Sequence, residues 1–396
     1  MSEIKKVLFT ATVDSHILHF HLPYLKMFKE KGYEVHVATN GDEEIPYCDK
    51  KHKISFERNP FKLNNLKAIN QIKKVIDKEQ FDIIHCHTPM GSVVTRIAAK
   101  HARKLYGTRV MYTAHGFHFY KGASKINWLL FYPVEKWLSK YTDDLITINN
   151  EDYELALRKF NAKKIYYVPG VGVDPKRFSF DLSSDEKSKL RKSFGIKSDD
   201  IVLIYVAELN KNKNQIMAIE AMKKLLSKNS KYKLVLVGKD SFNGKYQQLV
   251  RNLNIENNVI FTGYRKDVPA LMKMSDIAIS TSLREGLPVN LIEASMCQLP
   301  IIATDCRGNR DVVHETNNGS VIPLNELDEF VSKIENLTKS CKIDAQKYEL
   351  NNVLEKVKNI YFNDNRLPIR VLQVIGSMNM GCLLYTSPSP RDLSTS

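Results

Sequence analysis

Apolar and polar positions along this chain follow two periods that take turns. Short β-branched runs such as "KKVLFTAT", "EVHVAT", "FDIIHCHT", "RVMYTAHG", "DDLITIN" and "KIYYVPG" read as strands. Between them, "HLPYLKMFKEKGY", "LKAINQIKKVIDKEQ" and "VTRIAAKHARKLYG" carry apolar residues three and four apart and read as helices. Strands and helices in alternation predict a parallel sheet covered by helices. Roughly six strand candidates fill about the first 170 residues, enough for one doubly wound domain. The polar stretch "SFDLSSDEKSK" reads as a connector, after which "DIVLIYVAE", "NQIMAIEAMKKLLSK", "YKLVLVGK", "NNVIFTGY", "DIAISTS", "LPIIATD" and "GSVIP" repeat the pattern. The expected organisation is two α/β domains, residues 1–175 and 176–345, facing a central cleft, with a helix at 346–365 returning to the first. Open parallel sheets bind ligands beyond the carboxyl ends of their strands, so the cleft is where chemistry is expected.

Residues 366–396 break the pattern. "RLPIRVLQVIGSMNMG" starts like a first strand without a following helix, and "CLLYTSPSPRDLSTS" is rich in Ser, Pro and Thr and resembles translated sequencing-adapter sequence. This tail is read as non-native and set aside.

Composition narrows the class. With 396 residues and 43% hydrophobic content the chain can bury a full core. No apolar run approaches the roughly 20 residues that span a bilayer, so a cytoplasmic protein is expected. Six cysteines (Cys48, Cys86, Cys297, Cys306, Cys341, Cys382) form no C-x-x-C pair, which argues against a zinc site or a disulfide framework. In "HCH", a strand puts His85 and His87 on one face and Cys86 on the other, and no metal site is expected there. The formal charge is +15, and residues 1–173 hold 27 Lys+Arg against 18 Asp+Glu, so the first half should draw anionic partners. The basic residues are spread over many helices rather than gathered with aromatics, which disfavours nucleic acid. "GVGVDP" has Pro175 where a dinucleotide-binding G-x-G-x-x-G needs its third glycine, which disfavours a nicotinamide dehydrogenase.

The densest chemistry lies in "SLREGLPVNLIEAS". Pro288 suits the first turn of a helix whose free N–H groups and positive dipole end would face an anion such as a diphosphate. Glu285 precedes this helix and Glu293 lies inside it, about 8 Å or more away at the rise of an α-helix. That separation suits two hydroxyl-bearing rings on either side of a diphosphate better than one shared proton.

Set among "YVAELNKNKNQ" (Tyr205 to Gln215), "LVLVGK" (Leu234 to Lys239), "VIFTGYRKDVPALMKMSD" (Val259 to Asp276) and "PIIATDCRGNRDVV" (Pro300 to Val313), the Glu285-x7-Glu293 pair resembles the signature of the retaining glycosyltransferase family 4. "DSHILHFHLPYLKMFKEKGYEVHVAT", "FDIIHCHTP" and "YTAHGFHFYKG" are similar to the branch that builds capsular and exopolysaccharides. The resemblance covers residues 4–362 and implies the GT-B fold, two Rossmann-like doubly wound domains facing a cleft. It implies that Glu293 binds the nucleotide ribose, that Glu285 contacts donor-sugar hydroxyls, and that Gly286 and Leu287 belong to the donor site. Lys213 matches the lysine that neutralises the diphosphate, with Lys211 as a second cation, and His115 matches the histidine facing the donor sugar from the first domain. The backbone around Tyr264 and Arg265 would hold the base.

Two departures stand out: Glu208 replaces a frequent arginine, and "TVDSH" (Thr12 to His16) replaces a Gly-Gly pair. The implied reaction is sugar transfer with retention from a nucleotide sugar, expected to be UDP-linked, to an undecaprenyl-diphosphate-linked saccharide. No D-x-D motif occurs, and neither a cofactor nor a metal is expected. The alternatives are a UDP-sugar epimerase of the same architecture and a non-enzymatic basic anion-binding protein. "KGASKINWLLFYPVEKWLSKY" carries both tryptophans, Trp128 and Trp137, among lysines, so contact with an anionic membrane surface is expected there, with Pro133 interrupting any single helix.

Overall fold

A computed structural model of the protein describes residues 4–337 and 343–362. The tail at 366–396, Cys341 and Cys382 lie outside the described residues. The chain order of the first domain is β1 (Lys6–Thr10), α1 (Asp14–Phe20), α2 (Leu22–Glu30), β2 (Glu34–Thr39), β3 (Lys50–Lys53), α3 (Asn64–Glu79), β4 (Ile83–Cys86), α4 (Pro89–Leu105), β5 (Arg109–Ala114), α5 (Lys125–Ser139), β6 (Asp144–Thr147), α6 (Asn150–Lys159) and β7 (Lys164–Tyr167). Its seven strands are parallel in the order β3-β2-β1-β4-β5-β6-β7. The strand missing from the sequence reading is β3, whose "KKHK" has no apolar face because it lies at the sheet edge, where lysines also discourage pairing with another chain.

The second domain runs α7 (Ser184–Ser193), β8 (Ile201–Val206), α8 (Gln215–Lys228), β9 (Tyr232–Val237), α9 (Lys245–Asn252), β10 (Val259–Gly263), α10 (Val268–Met274), β11 (Ile277–Ser280), α11 (Val289–Met296), β12 (Ile301–Thr304), α12 (Arg307–Glu315), β13 (Gly319–Ile322) and α13 (Leu327–Glu335). Its parallel order is β10-β9-β8-β11-β12-β13. The stretch read as a polar connector is largely helix α7. Ser183 and Glu186 form a reciprocal capping box, and Arg191 is buried where it reaches Asp276 at 2.8 Å and the carbonyls of Met274 and Asp200. Helix α5 is the other correction: it runs through Pro133 instead of breaking there. Pro133 is exposed, so the carbonyl its ring leaves unpaired can be taken up by water.

Central strands buried on both faces need apolar residues at successive positions. In β1, Val7 and Phe9 join the core under α2 with Leu25 and Phe28, whereas Leu8 joins the opposite core with Ile72, Ile76 and Val94. Strand order reverses between β1 and β4 and again between β8 and β11, so each sheet opens a crevice beyond those strand ends.

Helix α14 (Leu350–Phe362) ends the described chain against the first domain. Val353, Val357, Ile360 and Tyr361 enter the core beside Phe9 and Phe28, and the Arg109 guanidinium donates to the carbonyls of Ile360 at 2.7 Å and Tyr361 at 2.9 Å, closing the helix end. The Tyr361 ring meets Phe28 edge-on at 4.7 Å and its hydroxyl bonds His85 Nδ1. The expected result for Tyr361→Ala is a loss of about 3–5 kcal/mol, read from the urea midpoint at unchanged slope.

Candidate active site

The loops that leave β8 and β11 at the second crevice are stitched together before any side chain reaches the cleft. Leu283 N–H donates to Asn212 O at 2.8 Å and Asn212 Nδ2 to Arg284 O at 2.9 Å. The Tyr205 hydroxyl donates to Lys213 O at 2.7 Å and meets Ser282 Oγ at 2.9 Å. This stitching brings Lys213 Nζ to 2.5 Å from Glu285 Oε1, with both side chains largely shielded from solvent. Lys211 is exposed on the same loop. Glu208 turns away, accepting from Ser241 Oγ and from Asn210 Nδ2.

Helix α11 starts one residue after Pro288, its N-cap, and carries Glu293 in its second turn. Glu293 is well buried, which pushes its carboxyl above the usual range, and Arg177 at 3.5 Å opposes that shift. Arg177 escaped the sequence reading because "GVGVDPKRF" was weighed only as a failed dinucleotide motif. Tyr264 and Arg265 follow β10, the sheet edge and two strands from β8. Tyr264 is exposed, and Arg265 is paired with Asp267 at 2.6 Å. Among the described residues no hydrogen bond or ion pair joins them to Lys213 or Glu285.

Gly116 and Gly286 let the two domains touch, and Gly308 lets α12 approach the Gly286 loop within the second domain. A Cβ on Gly286 would stand 2.2 Å from His115 O, one on Gly116 3.1 Å from Gly286 Cα, and one on Gly308 2.6 Å from Gly286 O. Leu287 lies against Gly170 of the first domain, where a Cβ would come within 2.6 Å of its Cδ2. His115, just after β5, is therefore at the junction with its ring inside the first domain, and burial lowers its pKa to about 4, so it is neutral near pH 7. In "TVDSH", Asp14 is fully engaged, accepting from Thr39 Oγ1 at 2.5 Å, Glu43 N–H at 2.9 Å and Lys51 Nζ at 2.8 Å. Ser15 and His16 instead line the cavity beside it.

Arg307 was not singled out in the sequence. Its Nε donates to Glu285 O at 3.0 Å, Nη1 to Asp152 Oδ1 at 2.6 Å and Nη2 to Phe117 O at 2.7 Å, so one side chain joins the Glu285 loop to two elements of the first domain. "CRGN" lies within the matching stretch "PIIATDCRGNRDVV", but no local pattern gives Arg307 this role, since its partners lie 22, 155 and 190 positions away. Alongside, Asp311 accepts from Asn150 N–H at 2.7 Å, and Glu315 accepts from Asn150 Nδ2 at 2.9 Å and from the Tyr167 hydroxyl at 3.3 Å.

Two parallel-sheet domains meeting over a cleft are the GT-B arrangement, and Anabaena HepE, solved in complex with UDP and glucose, shares it with a TM-score of 0.70 and 21% identity over 90% of this chain and 99% of that one. Family models match both halves, "Glycosyl transferase 4-like" over residues 6–150 and "Glycosyl transferases group 1" over residues 186–351. EpsD of Bacillus subtilis (strain 168), named as a glycosyltransferase, is 47% identical over 335 residues, 84% of this chain and 87% of that one. An Escherichia coli protein named UDP-Gal:alpha-D-GlcNAc-diphosphoundecaprenol alpha-1,3-galactosyltransferase is 28% identical over 323 residues, 77% of this chain and 81% of that one. The chain belongs to the group 1, family 4-like glycosyltransferases, and its activity is that of a glycosyltransferase. Family membership decides against the epimerase and the non-enzymatic binder.

The domain junction generates a pH prediction. Burial first, and the neighbouring Glu315 second, raise the Asp311 pKa to about 6. The native state holds this proton more tightly than the unfolded chain, so the associated stability is full below about pH 4 and lost as pH rises to about 6. Asp311→Asn is expected to flatten that fall, on the order of 2–3 kcal/mol in urea unfolding followed from pH 4 to 7.

Proposed function

We propose that the enzyme moves a hexose or N-acetylhexosamine from a UDP-sugar to a lipid-linked saccharide with retention of configuration and without a metal, during capsule or exopolysaccharide assembly on the inner face of the cell membrane. The observation that carries the donor half is the Lys213–Glu285 pair, held at 2.5 Å beside the start of α11 and next to His115. A diphosphate entering there would share the Lys213 ammonium and the α11 amides, which stabilise the charge that grows as the sugar leaves. Glu285, already bound to Lys213, is placed to hold sugar hydroxyls rather than to stand alone as a nucleophile. This supports a front-face route in which the donor phosphate accepts the acceptor proton. Glu293, deeper in the second domain, suits the ribose.

A groove of about 1000 Å³ in the first domain supports the acceptor half. Phe20, Pro60, Phe61, Met90, Phe119 and Leu130 line it, and His16 and Gly116 connect it to the junction. At its mouth Phe61 is 78% exposed, and nearby on the surface so are Leu63 by 80%, Ile126 by 66% and Leu129 by 74%. Exposed Lys62 and Lys125 lie next to these residues in the chain, and exposed Lys121 lies four positions before Lys125. Apolar side chains with adjacent lysines suit an anionic lipid interface, and an apolar groove suits the first units of a lipid chain. Among the described residues no helix is long and apolar enough to cross a membrane, so the reading is contact with the surface.

Acceptor-dependent UDP release from a panel of UDP-sugars tests the class of reaction. Glu293→Ala is expected to raise the donor KM about 10- to 100-fold, and Glu285→Ala to lower kcat about 100-fold or more. Unchanged kinetics in both would overturn the donor site. For the acceptor, Phe61→Ser with Leu129→Ser should raise the KM for a lipid-linked substrate about tenfold and weaken binding to anionic vesicles, leaving the donor KM unchanged. Vesicle binding by neither protein at low salt would remove the membrane reading.

A further inference from the structure

Four imidazoles converge where the loops after β1, β4 and β5 meet. His16 is on α1, His21 lies between α1 and α2, His87 follows β4 and His115 follows β5. One nitrogen from each lies within 4.8 Å of all the others. The His21 and His87 rings stack at 3.7 Å, the His16 and His115 rings meet edge-on at 4.8 Å, and His115 Nε2 is 3.4 Å from His87 Nδ1. Four nitrogens of this group, His16 Nε2, both nitrogens of His21 and His87 Nε2, are buried without a hydrogen-bond partner among the described residues. A buried polar atom without a partner is costly, and each neutral imidazole keeps one lone pair, so the rings of His16, His21 and His87 together offer lone pairs at one point to a group that takes them. His85, one turn of the pleat away, is the contrast: its Nδ1 meets the Tyr361 hydroxyl and its Nε2 the Thr113 hydroxyl at 2.8 Å, so it has no spare nitrogen.

We propose that His16, His21, His87 and His115 form a binding site for a first-row transition-metal dication, with Zn²⁺ as the probe. Neutral imidazole suits zinc, copper and nickel, and the set contains no carboxylate or backbone oxygen of the kind that selects magnesium or calcium. The cavity among His21, His87 and His115 is about 10 Å³, too small for a hydrated ion, so the ion enters stripped of water and ligated by nitrogen. Tetrahedral Zn–N bonds of about 2.0–2.1 Å set neighbouring nitrogens roughly 3.3 Å apart, so the rings turn inward on binding. His16 and His115, the two partly exposed members, have room to do so, and the groove lined by His16 gives the route in. Such an ion would hold the His115 ring inside the first domain and away from a donor in the cleft, so occupancy and transfer oppose each other.

The test uses the full chain, free of any affinity tag and stripped of metal, titrated with ZnCl2 against a chromophoric chelator. The expected result is one Zn²⁺ per chain with a Kd of about 1 µM or tighter, weakened about tenfold or more in His21→Asn and in His87→Asn. X-ray absorption should show a nitrogen shell without sulfur. His16→Asn, at the partly exposed rim, serves as the third variant should the buried ones fail to fold, with the same loss of affinity expected. Absence of stoichiometric binding, equal binding by the variants that fold, or sulfur in the shell would overturn the site. Because binding is read without a substrate, that outcome is independent of whether the transfer reaction itself is correctly assigned; inhibition of UDP release by Zn²⁺, relieved by a chelator, then tests the opposition to transfer.

Discussion

The contact on which the site depends is the Arg307 guanidinium, which binds Asp152 and Phe117 O of one domain while holding the Glu285 carbonyl of the other. Guanidinium and carboxylate are both nearly excluded from solvent, and burial pushes the Asp152 carboxyl up against the opposing pull of Arg307. Breaking such a buried pair costs about 3–5 kcal/mol, because one charge is left without compensation. Gly116 and Gly286 make the contact geometrically possible, since a Cβ on either would strike the facing domain's backbone or Arg307. The cleft is therefore a joint product of two domains, whose shape holds only while they stay together.

Much of the architecture was legible because it is written in periodicity. Parallel sheets buried on both faces leave runs such as "VLIYV" and "LVLV", and their alternation with amphipathic helices identified two doubly wound domains. The failures share a cause. β3 and α7 are polar elements, specified by an edge position and by a capping box rather than by an apolar stripe, and α5 tolerates Pro133 because the proline faces water. In the site, Glu285 and Lys213 were legible from motif context, and the structure brings them together through loop-to-loop hydrogen bonds. Arg177 and Arg307 were not, since each acts on a residue more than a hundred positions away or across the domain junction, which no local pattern encodes.

The two walls of the cleft differ in kind. The second domain offers charges, paired in advance, and a helix start; the first offers neutral imidazoles and an apolar groove. Burial produces this division on the first wall by keeping its histidines uncharged, so they add no positive charge to the chain's formal +15 where the two walls meet. In the proposed reaction, a site arranged this way would treat the anionic and the apolar parts of its ligands at separate addresses.

The Lys213–Glu285 ion pair carries one more consequence. A lysine already satisfied by a carboxylate is not an open trap for anions. An incoming ligand must offer more negative charge than the resident carboxylate supplies, and in a partly shielded setting that comparison is steep. A single chloride or carboxylate would gain little by entering, whereas the diphosphate of the proposed donor would bring enough charge to share the ammonium and occupy the adjacent helix amides as well. In that reading the pair would act as a threshold against the abundant small anions of a cell.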